Sequence, residues 1–110
     1  MSLFFKTEEQ PWEVVGEGIK RQIVGYTDEL MAVHVCFAKG AVGELHSHDE
    51  HDQVAFVAAG SFEVTVDGVT KVLRKGDAYT APKNVLHGAV ALEDDSVLID
   101  VFSPKRAEFL

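Results

Sequence analysis

Three histidines and a glutamine stand at spacings that suit a bound metal ion. His46 and His48 are two residues apart, so on an extended backbone both imidazoles leave the same face of the strand. Gln53 follows five residues after His48, and His87 comes later, beyond a Gly–Pro turn. Imidazole nitrogens suit zinc, copper, iron and nickel, and an amide oxygen can complete the ligand set. We therefore predict a divalent metal site at His46, His48, Gln53 and His87.

A solvated acidic loop is the alternative interpretation of the same stretch. Asp49, Glu50 and Asp52 surround the histidines and would favour such a loop. However, the His-x-His pair opens a strand-like run, and a further histidine follows the second turn. This combination favours the metal site, with His51 outside the ligand set.

Asp100 is the other residue whose surroundings suggest chemistry. It lies in the apolar run 98–102 and shares one face of a strand with Leu98 and Phe102. A buried carboxylate is costly unless it is paired or coordinated, and burial raises its pKa towards the range useful for acid–base catalysis. The alternative is a carboxylate at the exposed end of a strand, paired with Lys105 or Arg106. The spacing alone leaves both interpretations open.

The chain alternates apolar and polar residues between turns, which predicts short β-strands. These strands would position the candidate residues. Asp67-Gly68 between two such runs predicts a β-hairpin. Ser103 followed by Pro104 is typical of a helix start and predicts a short C-terminal helix over residues 105–109. We predict an all-β sandwich or barrel in a single domain over residues 1–110, with strands at 19–26, 30–37, 61–66, 69–73, 79–81, 87–92 and 96–102.

Composition limits the partners of the protein. The chain has 110 residues and a formal net charge of −8, which argues against nucleic-acid binding. No apolar run approaches the length of a membrane span, and Cys36 is the single cysteine, so we expect a cytoplasmic protein that does not bind a membrane. An anionic ligand would need a local positive centre, which a metal ion with one or two arginines would supply.

The two histidine segments resemble the paired motifs of the cupin superfamily. The first runs from Gly40 through His46, His48 and Gln53 to Gly60, and the second runs from Gly76 through Pro82 to His87. Two positions differ from the usual pattern: Gln53 replaces a glutamate, and Asn84 replaces a glycine. The glutamine variant, together with the opening residues 18–28 and the ending 98–110, is similar to the small pectin-degradation cupins of the KdgF type.

This resemblance implies the fold, the site and the reaction. The fold would be an RmlC-like cupin jelly-roll barrel, and the positions of Asp100, Phe102 and Arg106 would act in catalysis beside the metal. The implied reaction converts 4,5-unsaturated monouronates from pectin or alginate breakdown into the linear 5-keto-4-deoxyuronate. The metal would be Ni, Zn, Fe, Mn or Co. The alternatives are a cupin dioxygenase, a sugar isomerase and a non-catalytic cupin that binds sugar acids.

The ligand set and the fold size lead to two further expectations. Four neutral ligands leave the full double positive charge on the ion, which favours Lewis-acid chemistry over oxidation. A jelly roll this small leaves an edge strand open, so we expect a homodimer in which the apolar segments 19–26 and 30–37 cover that edge.

Overall fold

The computed structural model describes residues 2–110 and is built almost entirely of antiparallel strands. Two three-residue 3-10 helices, Thr7–Glu9 and Ala107–Phe109, lie near the two ends. Within residues 2–110 there is no helix long and apolar enough to cross a membrane. The ten strands are β1 (Glu13–Gly16), β2 (Ile19–Thr27), β3 (Leu30–Phe37), β4 (Val42–His46), β5 (Asp52–Ala59), β6 (Ser61–Val66), β7 (Val69–Arg74), β8 (Ala78–Ala81), β9 (His87–Ala91) and β10 (Ser96–Ser103).

The strands form two stacked sheets in a jelly-roll arrangement. The larger sheet has the order β1-β2-β3-β10-β5-β8, and the smaller has the order β4-β9-β6-β7. The ladders of the described strands do not join into one closed barrel. The open edges of this sheet are β1 and β8, and β2 and β3, which contain the segments 19–26 and 30–37, are each paired on both sides. Self-association itself remains a prediction.

The core lies between the sheets and follows the alternation of the sequence. On β3, the side chains of Met31, Val33 and Val35 point inward and are buried, as the pattern predicts. Phe62 projects from the smaller sheet and is fully buried against Phe37 of the larger one, with 5.0 Å between the ring centroids and 83° between the planes. Full burial of such a side chain contributes about 1.5–3 kcal/mol, so this edge-to-face pair is a principal contact between the sheets.

The predicted hairpin joins β6 and β7. Val66 pairs directly with Val69, so the loop is the dipeptide Asp67-Gly68. The φ angles of its two residues are 51° and 78°, the left-handed values that a type I′ turn requires. Aspartate and glycine tolerate this region better than branched residues do, which is why the dipeptide predicts the turn correctly.

The C-terminal helix is shorter than predicted and begins later. Ser103 does not cap it, because it is the last residue of β10 and pairs with Asp52 of β5. Arg106 is still extended, with φ −89° and ψ 92°, and the helix covers only Ala107–Phe109. Isolated helices of a few residues are marginal in water, so the pairing of β10 overrides the local Ser-Pro signal.

Gly60, at the tight connection between β5 and β6, should tolerate no side chain. Its φ is +70°, and a Cβ placed there would overlap Ser96, lying 2.8 Å from the Ser96 Cα. We expect Gly60→Ala to lower the free energy of unfolding by about 3 kcal/mol, because left-handed strain of about 1–2 kcal/mol adds to overpacking of about 1–3 kcal/mol. Urea denaturation measures the loss.

The matched control for this prediction is Gly68→Ala. Gly68 has a similar φ of +78°, but a Cβ there meets nothing within 4 Å. The control carries the backbone strain without the overlap and should lose only about 1–2 kcal/mol. Equal losses in the two variants would contradict the close packing assigned to Gly60.

Candidate metal centre

Three histidines from two segments of the chain lie close together in space. His46 ends β4 and pairs across the smaller sheet with His87, the first residue of β9, while His48 lies in the loop just after β4. One ligand nitrogen from each ring can be chosen so that all three lie within 4.8 Å of one another. The ring centroids of His46 and His87 are 4.3 Å apart. This group is positioned to bind a metal ion, and it contains the three histidines that the sequence predicts.

Backbone carbonyls orient two of these rings. The Nδ1 of His46 lies 2.6 Å from the carbonyl oxygen of Glu44, and the Nδ1 of His87 lies 3.0 Å from that of Val85. A carbonyl oxygen only accepts, so each Nδ1 carries the hydrogen and donates it. The Nε2 of each ring is then left with its lone pair, which is the form that binds a metal.

Gln53 supplies the fourth candidate ligand from the larger sheet. It lies near the start of β5, is almost fully buried, and pairs across the sheet with Phe102. Its Oε1 is buried without a hydrogen-bond partner among residues 2–110, and so are the Nε2 atoms of His48 and His87. An unsatisfied buried polar atom costs about 1–3 kcal/mol. A divalent ion bound by these donors would satisfy all three atoms, so the residues present fit a metal.

The electrostatics of the centre keep His48 and His87 neutral. Burial, followed by the positive charge of Arg106 and the neighbouring imidazoles, lowers the pKa of His48 to about 4. Burial also lowers the pKa of His87, although the Val85 carbonyl opposes this shift. Neutral imidazole is the metal-binding form, so both rings are ready to bind an ion at neutral pH.

Asp100 lies on β10 on the inward face, beside the candidate ligands. Its Oδ1 is inaccessible and has no hydrogen-bond partner in the described part of the chain. Burial raises the pKa of Asp100 to about 7, against the opposing effects of the Gln53 side chain and the Arg106 charge. The alternative of an exposed carboxylate paired with a nearby cation is not observed. Lys105 pairs instead with Asp28, and Arg106 pairs with Glu108, each at 2.8 Å.

A cavity of about 170 Å³ lies beside the candidate metal centre. It is lined by His46, Gln53, Tyr79, Asp100, Phe102 and Arg106, together with the apolar residues of the core and the aromatic ring of Phe109. The Phe102 ring forms one wall, with the Cζ of Arg106 5.1 Å from its centroid. Burial, with the nearby Asp100 carboxylate, raises the pKa of Tyr79, so its phenol stays protonated. The cavity therefore combines proton-bearing groups, a cation and a candidate metal site.

The family model for the Cupin domain matches residues 33–102, which is more than half of the chain. The chain is a cupin. Within that family it is 59% identical, over the full length of both proteins, to the pectin degradation protein KdgF of Dickeya dadantii (strain 3937), and it belongs to the KdgF group. The structure of KdgF from a Halomonas species is 49% identical, with a TM-score of 0.97 and full coverage of both chains.

A second solved cupin has nearly the same fold. The RmlC-like cupin from Shewanella frigidimarina NCIMB 400 is 46% identical, with a TM-score of 0.94 over 100% of this chain and 97% of that one. The jelly-roll class predicted from the sequence is confirmed by these neighbours together with the Cupin domain match.

Several residues of this cupin's site are not predicted by the sequence patterns. Arg21, Tyr79 and Phe109 line the same cavity as Asp100. A usable signal existed only for Arg21, a charged residue at an inward position of β2 between the apolar Ile19 and Ile23. Tyr79 and Phe109 reach the cavity through strand order and the path of the C-terminus, which local sequence does not reveal.

His51 lies beside the centre but outside the metal group. Its ring is 6.2 Å from that of His48 and 6.4 Å from that of Phe102. Its Nε2 is 3.2 Å from the carbonyl oxygen of Lys105, so His51 is turned towards the C-terminal segment. Its predicted dispensability for metal binding remains a prediction.

Proposed function

We propose that this cupin opens the ring of 4,5-unsaturated monouronates released during pectin or alginate breakdown, giving the linear 5-keto-4-deoxyuronate. The match to the Dickeya pectin degradation protein, 59% identical over the full length of both chains, carries the proposal. The cavity supports it, because a cation, a carboxyl group and the candidate metal ligands His46 and Gln53 line a space suited to a small sugar acid. The substrate class would therefore be an anionic monosaccharide.

The chemistry is an isomerisation in which no atom is gained or lost. The bond between the ring oxygen and the anomeric carbon breaks, the hydroxyl on that carbon loses its proton, and the carbon becomes an aldehyde. The released oxygen is an enolate conjugated to the carboxylate. Adding a proton to C4 converts the enolate into a ketone at C5. The reaction needs one group that moves a proton and others that stabilise negative oxygen.

We assign these tasks to residues of the cavity. A divalent ion held by His46, His48, Gln53 and His87 would supply Lewis-acid stabilisation of negative charge when bound. Asp100, inward-facing and next to Gln53, is the group that transfers the proton to C4. Arg106 binds the substrate carboxylate through its planar guanidinium.

Phe102 completes the proposed site as a wall. Its ring lies 5.8 Å from that of His48 and is itself buried. In this position it orients the flat unsaturated ring and excludes water from the reacting carbons.

The test follows the absorbance of the conjugated alkene. Metal-loaded protein is mixed with the unsaturated galacturonate monomer, and we expect the absorbance to fall much faster than in the spontaneous reaction. Protein stripped of metal by a chelator is the control and should give the spontaneous rate. The proposal fails if the metal-loaded protein gives no acceleration. Stoichiometric oxygen consumption during the reaction would assign the protein to the dioxygenases instead.

A further inference from the structure

A second arginine faces the same cavity as Arg106. Arg21 lies on β2 and pairs across the sheet with Val35, a buried residue of the inward face. It lines the cavity together with Asp100 and Phe102. Its side chain is only 18% exposed. A guanidinium in this position needs an explanation, because a charge on the core side of a sheet is costly to bury.

Arg21 and Arg106 lie against the same aromatic ring. The Cζ of Arg21 is 3.7 Å from the centroid of Phe109, and the Cζ of Arg106 is 4.2 Å from it. The two charges are therefore no more than about 8 Å apart, close enough for one monosaccharide to contact both with hydrogen bonds of ordinary length. The C-terminal 3-10 helix, Ala107–Phe109, holds the ring at this place.

The contacts within the protein do not satisfy Arg21. One terminal nitrogen, Nη2, lies 3.1 Å from the Oε1 of Glu13, a largely exposed carboxylate. The Nε is buried and has no acceptor among residues 2–110. Leaving a charged donor without an acceptor costs more free energy than leaving a neutral donor unpaired. The Phe109 ring attracts the guanidinium through its π face but does not replace an oxygen acceptor. The unused donor therefore points to an acceptor from a ligand.

The charge balance of the cavity indicates the chemistry of that ligand. Asp100 is the carboxylate in the cavity wall, and two guanidinium groups line the same cavity, whereas the chain as a whole carries −8. The Nε of Arg106 is already bonded to Glu108, which leaves Arg106 only its terminal nitrogens for a substrate. A carboxylate bound near Asp100 would be repelled by it, and a second guanidinium would offset that repulsion.

We propose that Arg21 is a second substrate-binding residue, which holds the carboxylate of the sugar acid jointly with Arg106 and makes the site select acids over neutral sugars. The identity of the reacting sugar in this proposal rests on the proposed function. The pair of guanidinium groups is also the feature that lets an acidic protein bind an anion in this cavity.

The experiment measures binding and turnover separately. Metal-loaded wild type, Arg21→Gln and Arg21→Lys are titrated calorimetrically with D-galacturonate and with D-galactose, its neutral counterpart. A charge-assisted hydrogen bond is worth about 1.5–3 kcal/mol, so Arg21→Gln should bind D-galacturonate about 10–150-fold more weakly, with its weak binding of D-galactose unchanged. Arg21→Lys should lie between the two. With the unsaturated monomer, KM should rise by a similar factor while kcat changes by less than about threefold.

Glu13→Gln is the matched control. It removes the exposed partner of Arg21 but keeps the guanidinium, so its affinity for D-galacturonate should stay close to that of the wild type. Metal content and thermal unfolding of every variant check that the fold and the centre are intact. If Arg21→Gln does not fold, the affinities of Arg21→Lys for D-galacturonate and D-galactose are compared with those of the wild type instead. Lysine keeps the charge and an aliphatic stem, so this variant should fold.

The outcomes separate this proposal from the proposed function. An Arg21→Gln affinity for D-galacturonate within about twofold of wild type, or an equal loss for D-galactose, overturns the role of Arg21. A wild type that binds D-galacturonate through Arg21 but does not turn over the unsaturated monomer overturns only the reaction. A wild type that binds no D-galacturonate overturns the role of Arg21 directly.

Discussion

The double variant His46→Ala/His48→Ala should bind no stoichiometric divalent metal and should give no turnover above the spontaneous rate. Two of the four candidate donors disappear, and the remaining pair, His87 and Gln53, lies on different sheets and cannot enclose an ion. Metal affinity depends steeply on the number and geometry of its donors, so the loss should be complete at micromolar metal. Inductively coupled plasma mass spectrometry after desalting measures the metal per chain.

His51→Ala is the control for this experiment. His51 is buried near the centre, but its ring nitrogen is turned to the Lys105 carbonyl. The variant should keep one metal per chain while losing some thermal stability. Stoichiometric metal in the double variant, or loss of metal in His51→Ala, would contradict the ligand assignment.

Asp100→Asn should keep the fold and the metal but lower turnover by about 10²–10⁴-fold, the usual effect of removing a positioned acid–base group. Asparagine has nearly the same shape as aspartate and still occupies the inward face of β10 between Val33 and Ala55, its partners on the neighbouring strands. It cannot transfer a proton to carbon. The absorbance assay measures kcat, and metal analysis confirms that the centre is intact.

Asp95→Asn is the matched control for Asp100→Asn. It makes the same chemical change in the exposed turn before β10, at a residue with a φ of 56° that asparagine adopts readily. Its turnover should equal that of the wild type. Full activity in Asp100→Asn would refute proton transfer by Asp100, and an equal loss in both variants would indicate a general effect of lost negative charge.

The parts of the site that could be predicted are those encoded by short spacings. His46 and His48 are two residues apart on one short segment, so the local backbone is enough to bring their rings close together. The fold class was predictable for the same reason, because alternation and the Asp67-Gly68 turn are local signals. His87 was predicted as a partner of these two rings from its position after the second turn, but no local pattern specifies the pairing of β4 with β9 that brings it to them.

The parts that could not be predicted depend on long-range pairing. Arg21 reaches the cavity because β2 lies two strands from β10, an order that no local pattern specifies. The C-terminal helix was predicted too long because its start signal at Ser103 competes with a ladder to Asp52, a residue far away in sequence. Local propensity is a weak guide where tertiary pairing opposes it.

The candidate ligands are divided between the two sheets, so an ion bound by them would cross-link the sheets. His46 and His87 lie on the smaller sheet, whereas Gln53 lies on the larger one. A chain in which only one sheet has formed lacks part of the donor set, so tight binding begins only when the sheets have docked. By mass action the ion then favours the docked state, by about 2.7 kcal/mol when its free concentration is 100 times its dissociation constant. Availability of the metal would thus govern how long each molecule survives as well as how fast it works.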